Sequence, residues 1–197
     1  MKQNTKQPDY MILINKENKL PDDFEDAIEI ISVENALGKK LQLEKKTYEA
    51  FLRLREDLLQ NDGIQAELSS TYRTLTQQEE IFERYRNKFG IDYANKYVAK
   101  SGHSEHHTGL AIDVGIFLDG KFYNNIEDMM GIEHLFQIIH KKLPQYGFIL
   151  RYPDGKKSVT DIGYEPWHFR YIDSPEIARE ITNNELCFEE YLNADTF

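Results

Sequence analysis

The 197-residue chain has a single cysteine, Cys187, which excludes an internal disulfide and a cysteine-based zinc cluster and leaves a buried thiol as the expectation there. Basic excess is missing too: 24 Lys and Arg against 34 Asp and Glu give a formal charge of −10. A nucleic-acid backbone or an anionic membrane requires a face that neutralises phosphates, so no nucleic acid is expected as main partner. A small or cationic ligand stays open. Long apolar runs are absent, because the one run near the N-terminus, residues 11–14, is too short for a secretory signal core or a membrane span. As written, the chain reads as a cytoplasmic protein with no membrane segment. A leader or anchor removed ahead of Met1 would make it extracytoplasmic. Neither a GxGxxG nor a GxxxxGK[ST] loop occurs, and there is no repeat period.

What is present is a globular composition, 40% hydrophobic with charges of both signs interspersed, at a length that suits one domain without staples. Residues 1–9 read as a flexible N-terminus and 10–197 as a single domain. A short strand is expected at 10–15, then a charged, irregular stretch at 17–46 with short strands. Tyr48, Phe51, Leu52, Leu54, Leu58 and Leu59 mark a helix over 46–60 that stops at Asn61-Asp62-Gly63. Ile64, Ala66 and Leu68 alternate, so a strand leads toward Ser70 and Arg73. Thr76 and Glu79 fit a capping box, with Ile81, Phe82, Tyr85 and Phe89 as the buried helical face. A further helix is expected at 91–100 and a strand at 110–117. Asp119-Gly120 between apolar flanks predicts a hairpin back through 121–123. Helices are expected at 126–143 and 175–192, with strand character on both sides of Asp154-Gly155. Interspersed elements with a clear hairpin predict an α+β fold, a small antiparallel sheet flanked by helices.

Two stretches carry chemistry. In SGHSEHHTGLAIDVG, residues 101–115, Asp113 lies between Ile112 and Val114 although aspartate is a poor strand former. Alternation puts Gly109, Ala111 and Asp113 on one face. Either that face is cleared for a ligand, or Asp113 accepts hydrogen bonds from a neighbouring loop. The second stretch, YEPWHFRY at 164–171, sets an acid, a histidine and an arginine among aromatics. One aspartate and two histidines suffice as protein ligands for a catalytic zinc ion, and Glu165, three residues before His168, is placed to accept a proton from bound water. Pro166 argues for a turn or bulge, which would let Glu165 and His168 converge. A buried Trp-His core pair is the plain alternative for EPWH.

Ser104 to Asp113 fits SxHxxGxAxD and Glu165 to His168 fits ExxH, and in these the chain resembles the zinc D,D-carboxypeptidases of the VanY and VanXY type, related to the LdcB-type L,D-carboxypeptidases. Ser70-Thr71-Tyr72-Arg73-Thr74 with Gln78, and Gly147 to Pro153 (GFILRYP), are similar to two further segments of that family, so the resemblance covers roughly residues 10–173. It implies a hedgehog/D,D-peptidase-like fold with a zinc site on the sheet face. It also implies one Zn²⁺ held by His106, Asp113 and His168, with Glu165 as catalytic base. By the same resemblance, Arg73 binds substrate and stabilises the developing oxyanion, while Ser104 and Gln78 hold the substrate's terminal carboxylate. Arg151 is left open between substrate contact and a stacked, paired structural role. His107, where the family often has glutamine, is expected to point away from the metal and to be replaceable. His103 is expected in a loop near the mouth, and His134 and His140 on the 126–143 helix, with His140 at its negative dipole end.

The resemblance thus implies a small peptide substrate ending in D-Ala-D-Ala, cut as a peptidoglycan precursor or as free dipeptide, with a possible part in vancomycin resistance. An L,D-carboxypeptidase that trims tetrapeptide stems is the alternative enzyme, and a zinc-containing binding module the alternative class. A binding module is expected to lose the base or the arginine, and both are present. Oligomeric state is not addressed by any motif.

Overall fold

A computed structural model describes residues 9–24 and 27–194. The flexible segment expected at 1–9 lies, except for Asp9, outside the described residues. Two antiparallel sheets organise the chain. The smaller is a hairpin of β1 (Ile30–Glu34) and β2 (Lys40–Glu44). The larger has β3 (Gln65–Ser70), β4 (Ala111–Leu118), β7 (His168–Tyr171) and β6 (Phe148–Leu150) in that order, with β5 (Lys121–Tyr123) also on β4. Helices surround it, which is the expected α+β architecture. Asp119 and Gly120 both take positive φ, 51° and 77°, as a two-residue hairpin loop requires, and Leu118 pairs with Lys121 across it.

Helix α1 (Lys45–Asp62) buries Ala50, Phe51, Leu54 and Leu58 against Leu68, Ile112, Val114 and Ile116, in the main core. The N-cap is Glu44, whose carboxylate accepts from Lys46 and Thr47 backbone N–H groups, and Gly63 ends the helix in the left-handed conformation. Because strand side chains alternate, Phe148 and Leu150 join this core while Ile149 faces a second cluster with Ile172, Ala178, Ile181 and Phe188. That second cluster lies under α7 (Pro175–Asn183) and α8 (Phe188–Ala194).

Several boundaries differ from expectation for identifiable reasons. Residues 10–15 form no strand; the carbonyls of Tyr10 and Ile12 accept from the Arg170 guanidinium instead of a neighbouring strand. Helix α2 (Leu75–Phe89) is capped two residues early, by Thr74 with Gln77, because that pair completes the reciprocal box just after Arg73. On α2 only Phe82 of the expected apolar face is buried; Tyr85 and Phe89 instead cluster with Tyr93 of α3 (Ile91–Tyr97). The 126–143 helix is broken at Ile132, which leaves helical geometry (φ −120°, ψ 26°) to enter the core, giving α4 (Ile126–Gly131) and α5 (Glu133–Lys142). The C-terminal helix is likewise two: Glu185 at φ 54° ends α7, with Leu186 N–H bonded to the Ile181 carbonyl. Between β6 and β7, a single turn, α6 (Lys157–Thr160), follows Asp154-Gly155. Among the described residues, no helix is long and apolar enough to cross a membrane. Cys187 is a buried free thiol.

Candidate metal centre

Asp113 and His168 are directly opposed in the β4–β7 ladder, so their side chains leave the same face of the sheet. His106 comes from a 3-10 turn, Glu105–Thr108, tied down where Thr108 Oγ1 donates to the Glu105 carbonyl and accepts from Leu110 N–H. The turn brings His106 Nε2 to 3.3 Å from Asp113 Oδ2, while His168 Nδ1 lies 3.0 Å from Asp113 Oδ1. The imidazoles meet edge to face, centroids 5.0 Å apart. One ligand atom from each residue lies within 4.8 Å of the other two, and both histidines are buried. His106 Nδ1 is 2.7 Å from the Thr71 carbonyl, which makes Nδ1 the donor and leaves the Nε2 lone pair pointing at Asp113. This compact, buried N/N/O set fits a zinc ion with an open fourth position.

The other expected residues gather around it. A turn at Pro166-Trp167, closed by His168 N–H to the Glu165 carbonyl at 3.2 Å, swings Glu165 Oε2 to 3.6 Å from His168 Nδ1. Arg73 occupies the joint between β3 and α2, next to a register shift between Leu68 and Ser70. Its Nη2 donates to Asp113 Oδ2 at 3.1 Å and to Ser70 Oγ at 2.9 Å, and its Nη1 to Gln78 Oε1 at 3.3 Å. Gln78 is buried, and its amide donates to the Ala99 carbonyl, so it stands behind Arg73 and orients it. Ser104 is buried at the entrance to the 3-10 turn.

Burial dominates the electrostatics. It pushes the Glu165 carboxyl up to about 7, with the Asp113 charge adding to the rise and His168 and Arg73 opposing it. The His106 imidazole falls to about 4 through burial and the Arg73 charge. His168, also penalised by burial, is raised to about 9 by the carboxylates of Asp113 and Glu105. Asp113 stays well below the usual carboxylate range, since the two imidazoles outweigh its burial. A metal entering here therefore displaces protons, and binding is coupled to pH.

Glu105, Arg151 and Arg170 form a buried charged layer that motif reading missed in the case of Glu105 and Arg170. Arg151 is structural: it is fully buried, bonded to Glu105 and Glu189, and packed on Tyr152 and Phe188. Burial alone would raise the Glu105 carboxyl, but Arg151 and Arg170 hold it far below its ordinary value. The sequence signal for this layer is an acid next to a histidine of the candidate metal set, with two arginines in aromatic settings. The space at Gly109 serves a different purpose from that expected. A Cβ there would meet Ile30 Cδ1 at 2.6 Å and Glu44 N at 3.0 Å, so the glycine admits the β1–β2 hairpin, not a ligand. Of the remaining histidines, His103 Nδ1 meets the Asn15 carbonyl, His134 is exposed, and His140 Nε2 holds the Pro166 carbonyl at 2.8 Å. His140 thus braces the turn that carries Glu165.

Two histidines and an aspartate gathered at a small antiparallel sheet, Asp113 and His168 on its strands and His106 on the adjoining turn, with a glutamate and an arginine beside them, make the arrangement of a metallopeptidase site. A family model described as VanY, D-alanyl-D-alanine carboxypeptidase, matches residues 40–174, and the chain belongs to that family. The bifunctional D-Ala-D-Ala dipeptidase and D-Ala-D-Ala carboxypeptidase VanXYC of Enterococcus gallinarum is 37% identical over 141 residues, covering 69% of this chain and 72% of that protein. Among solved structures, a vancomycin resistance D,D-pentapeptidase VanY in complex with Zn(II) is similar at a TM-score of 0.75 with 28% identity, over 93% of this chain and 99% of its own. The LdcB LD-carboxypeptidase is similar at a TM-score of 0.76 with 31% identity, over 97% of this chain and 88% of its own. The chain spans between about half and about seven tenths of the length of the curated relatives it matches.

Proposed function

We propose that this protein is a zinc-dependent D,D-peptidase that hydrolyses the terminal D-Ala-D-Ala bond of peptidoglycan precursors, of the free dipeptide, or of both. The observation that carries the reading is the convergence of a buried His106–Asp113–His168 set with Glu165 and Arg73 on one sheet face. His106, Asp113 and His168 hold the ion. Zinc, when bound, polarises a carbonyl and lowers the pKa of water toward about 7. Glu165, set beside His168, takes the proton of the attacking water on its carboxylate and delivers it to the leaving amine. Arg73, held in orientation by Ser70 and Gln78, donates where the carbonyl oxygen becomes negative. On this reading Ser104 holds the substrate's terminal carboxylate, and Gln78, whose amide is engaged by Arg73 and the Ala99 carbonyl, serves it through Arg73. Pruning such precursors would contribute to glycopeptide resistance, in keeping with the names of the VanXYC and VanY relatives.

A second reading, an L,D-carboxypeptidase acting on tetrapeptide stems, is supported by the likeness to LdcB. Metal analysis with hydrolysis of D-Ala-D-Ala, a D,D-pentapeptide and an L,D-tetrapeptide separates them. We expect one zinc per chain and turnover on D,D substrates, with Glu165→Gln retaining zinc while kcat falls about 10²–10⁴-fold. Turnover confined to the L,D-tetrapeptide selects the second reading. Zinc bound without turnover on any of the three marks a binding module.

A further inference from the structure

Behind the metal set lies a layer of charge with no part in the chemistry proposed above. Both Arg151 and Arg170 are fully buried, and both donate to the same oxygen of Glu105, Oε1, at 2.7 and 2.9 Å. Arg151 places its other donors on Glu189 at 2.8 and 2.6 Å, and Arg170 on the carbonyls of Tyr10, Ile12 and Tyr171. Two positive and two negative side chains balance. Two of the buried polar atoms that lack a hydrogen-bond partner among the described residues are Glu105 Oε2 and His168 Nε2. They face each other at 3.7 Å.

We propose that Glu105 is a positioning residue for His168, its Oε2 keeping the proton on Nε2 so that Nδ1, the nitrogen facing Asp113, offers its lone pair to the metal. The opposite tautomer would set a ring lone pair against a carboxylate in a dry interior and protonate the nitrogen that must bind. His106 obtains its own tautomer from the Thr71 carbonyl. The arginines are what aim Glu105: with Oε1 occupied twice, only Oε2 is available to the imidazole. Glutamine cannot replace it. Its one oxygen is drawn to the two guanidiniums, which turns the amide NH₂ toward Nε2 and drives the ring proton to Nδ1.

The inference rests on the metal reading of the site, and its test keeps the two apart. Zinc affinity is measured by chelator competition for wild type, Glu105→Gln and Glu189→Gln, with folding checked by circular dichroism. Glu189→Gln removes charge from the same buried network, on Arg151, at a residue outside the metal set. We expect Glu105→Gln to weaken zinc binding about 10–100-fold, and Glu189→Gln to lower the melting temperature with zinc affinity near wild type. Equal loss of affinity in the two variants, or none in Glu105→Gln, overturns the proposal. If Glu105→Gln does not fold, imidazole NMR of the zinc-loaded wild type decides. Zinc on His168 Nδ1 with a downfield, hydrogen-bonded Nε2 proton is expected, and zinc on Nε2 or a solvent-like Nε2 proton overturns it. A wild type that binds no zinc ends the metal reading itself.

Discussion

His107 follows a metal-set histidine by one residue and was expected to be replaceable, yet it is buried with both ring nitrogens engaged. Nε2 accepts the Gly102 N–H at 3.0 Å, so Nδ1 must carry the proton it gives to the Arg73 carbonyl at 2.7 Å. The ring therefore fastens the 100–108 loop to the backbone of the arginine that meets substrate in the proposed reaction. His107→Ala should cost about 1–3 kcal/mol, because it leaves the buried Gly102 N–H and the part-buried Arg73 carbonyl without this partner. It should also lower kcat through a slackened Arg73 while zinc content stays unchanged. His107→Gln, which supplies one donor and one acceptor, should recover most of both. Thermal melts, kcat and metal analysis on the two variants check this, and an Ala variant that melts and turns over like wild type would refute it. At this scale the donor types of the site were readable from sequence, but the partners of His107, His140 and Glu105 were not, since they are backbone groups or side chains that arrive from more than two dozen residues away.

Between elements, α1 is fastened to the end of α5 by a small charge network. Lys142 Nζ lies 2.8 Å from Asp57 Oδ1 and 2.9 Å from Asp62 Oδ2, and the Tyr146 hydroxyl donates to Asp57 Oδ2 at 2.9 Å. The bonds from Lys142 and Asn61 lower the Asp57 pKa in the folded state. A carboxyl whose folded pKa is depressed contributes stability above its unfolded value of about 3.9 and loses it as pH falls through the folded value. Asp57→Asn should therefore lower the melting temperature at neutral pH by roughly 2–4 °C, for a loss of about 1 kcal/mol. The gap between variant and wild type should close as pH drops below the ordinary carboxylate range, which melts across a pH series would show. A gap that persists in acid would mean the aspartate acts through packing and not charge.

For the molecule as a whole, the metal set is assembled only by folding, because the 105–108 turn, β4 and β7 contribute one residue each. A ligand that binds only the folded chain stabilises it by about 2.7 kcal/mol at a hundred times its Kd, or roughly 5–10 °C for a chain of this size. Zinc should raise the melting temperature by that order, a chelator should reverse it, and His168→Ala should abolish the response. A zinc-independent melt of wild type would argue against the site. Sequence by itself determined the α+β class, the Asp119-Gly120 hairpin and the helix end at Gly63, since these follow from residue chemistry and local periodicity, and its resemblance to a known family implied the proposed donor set. Tertiary structure alone decided that Gly109 makes room for Ile30, that Arg151 pairs inward, that Ile132 breaks a helix, and that Glu105 faces His168. Each of those depends on which distant side chain arrives at the same buried place, and packing in three dimensions, not spacing along the chain, settles that.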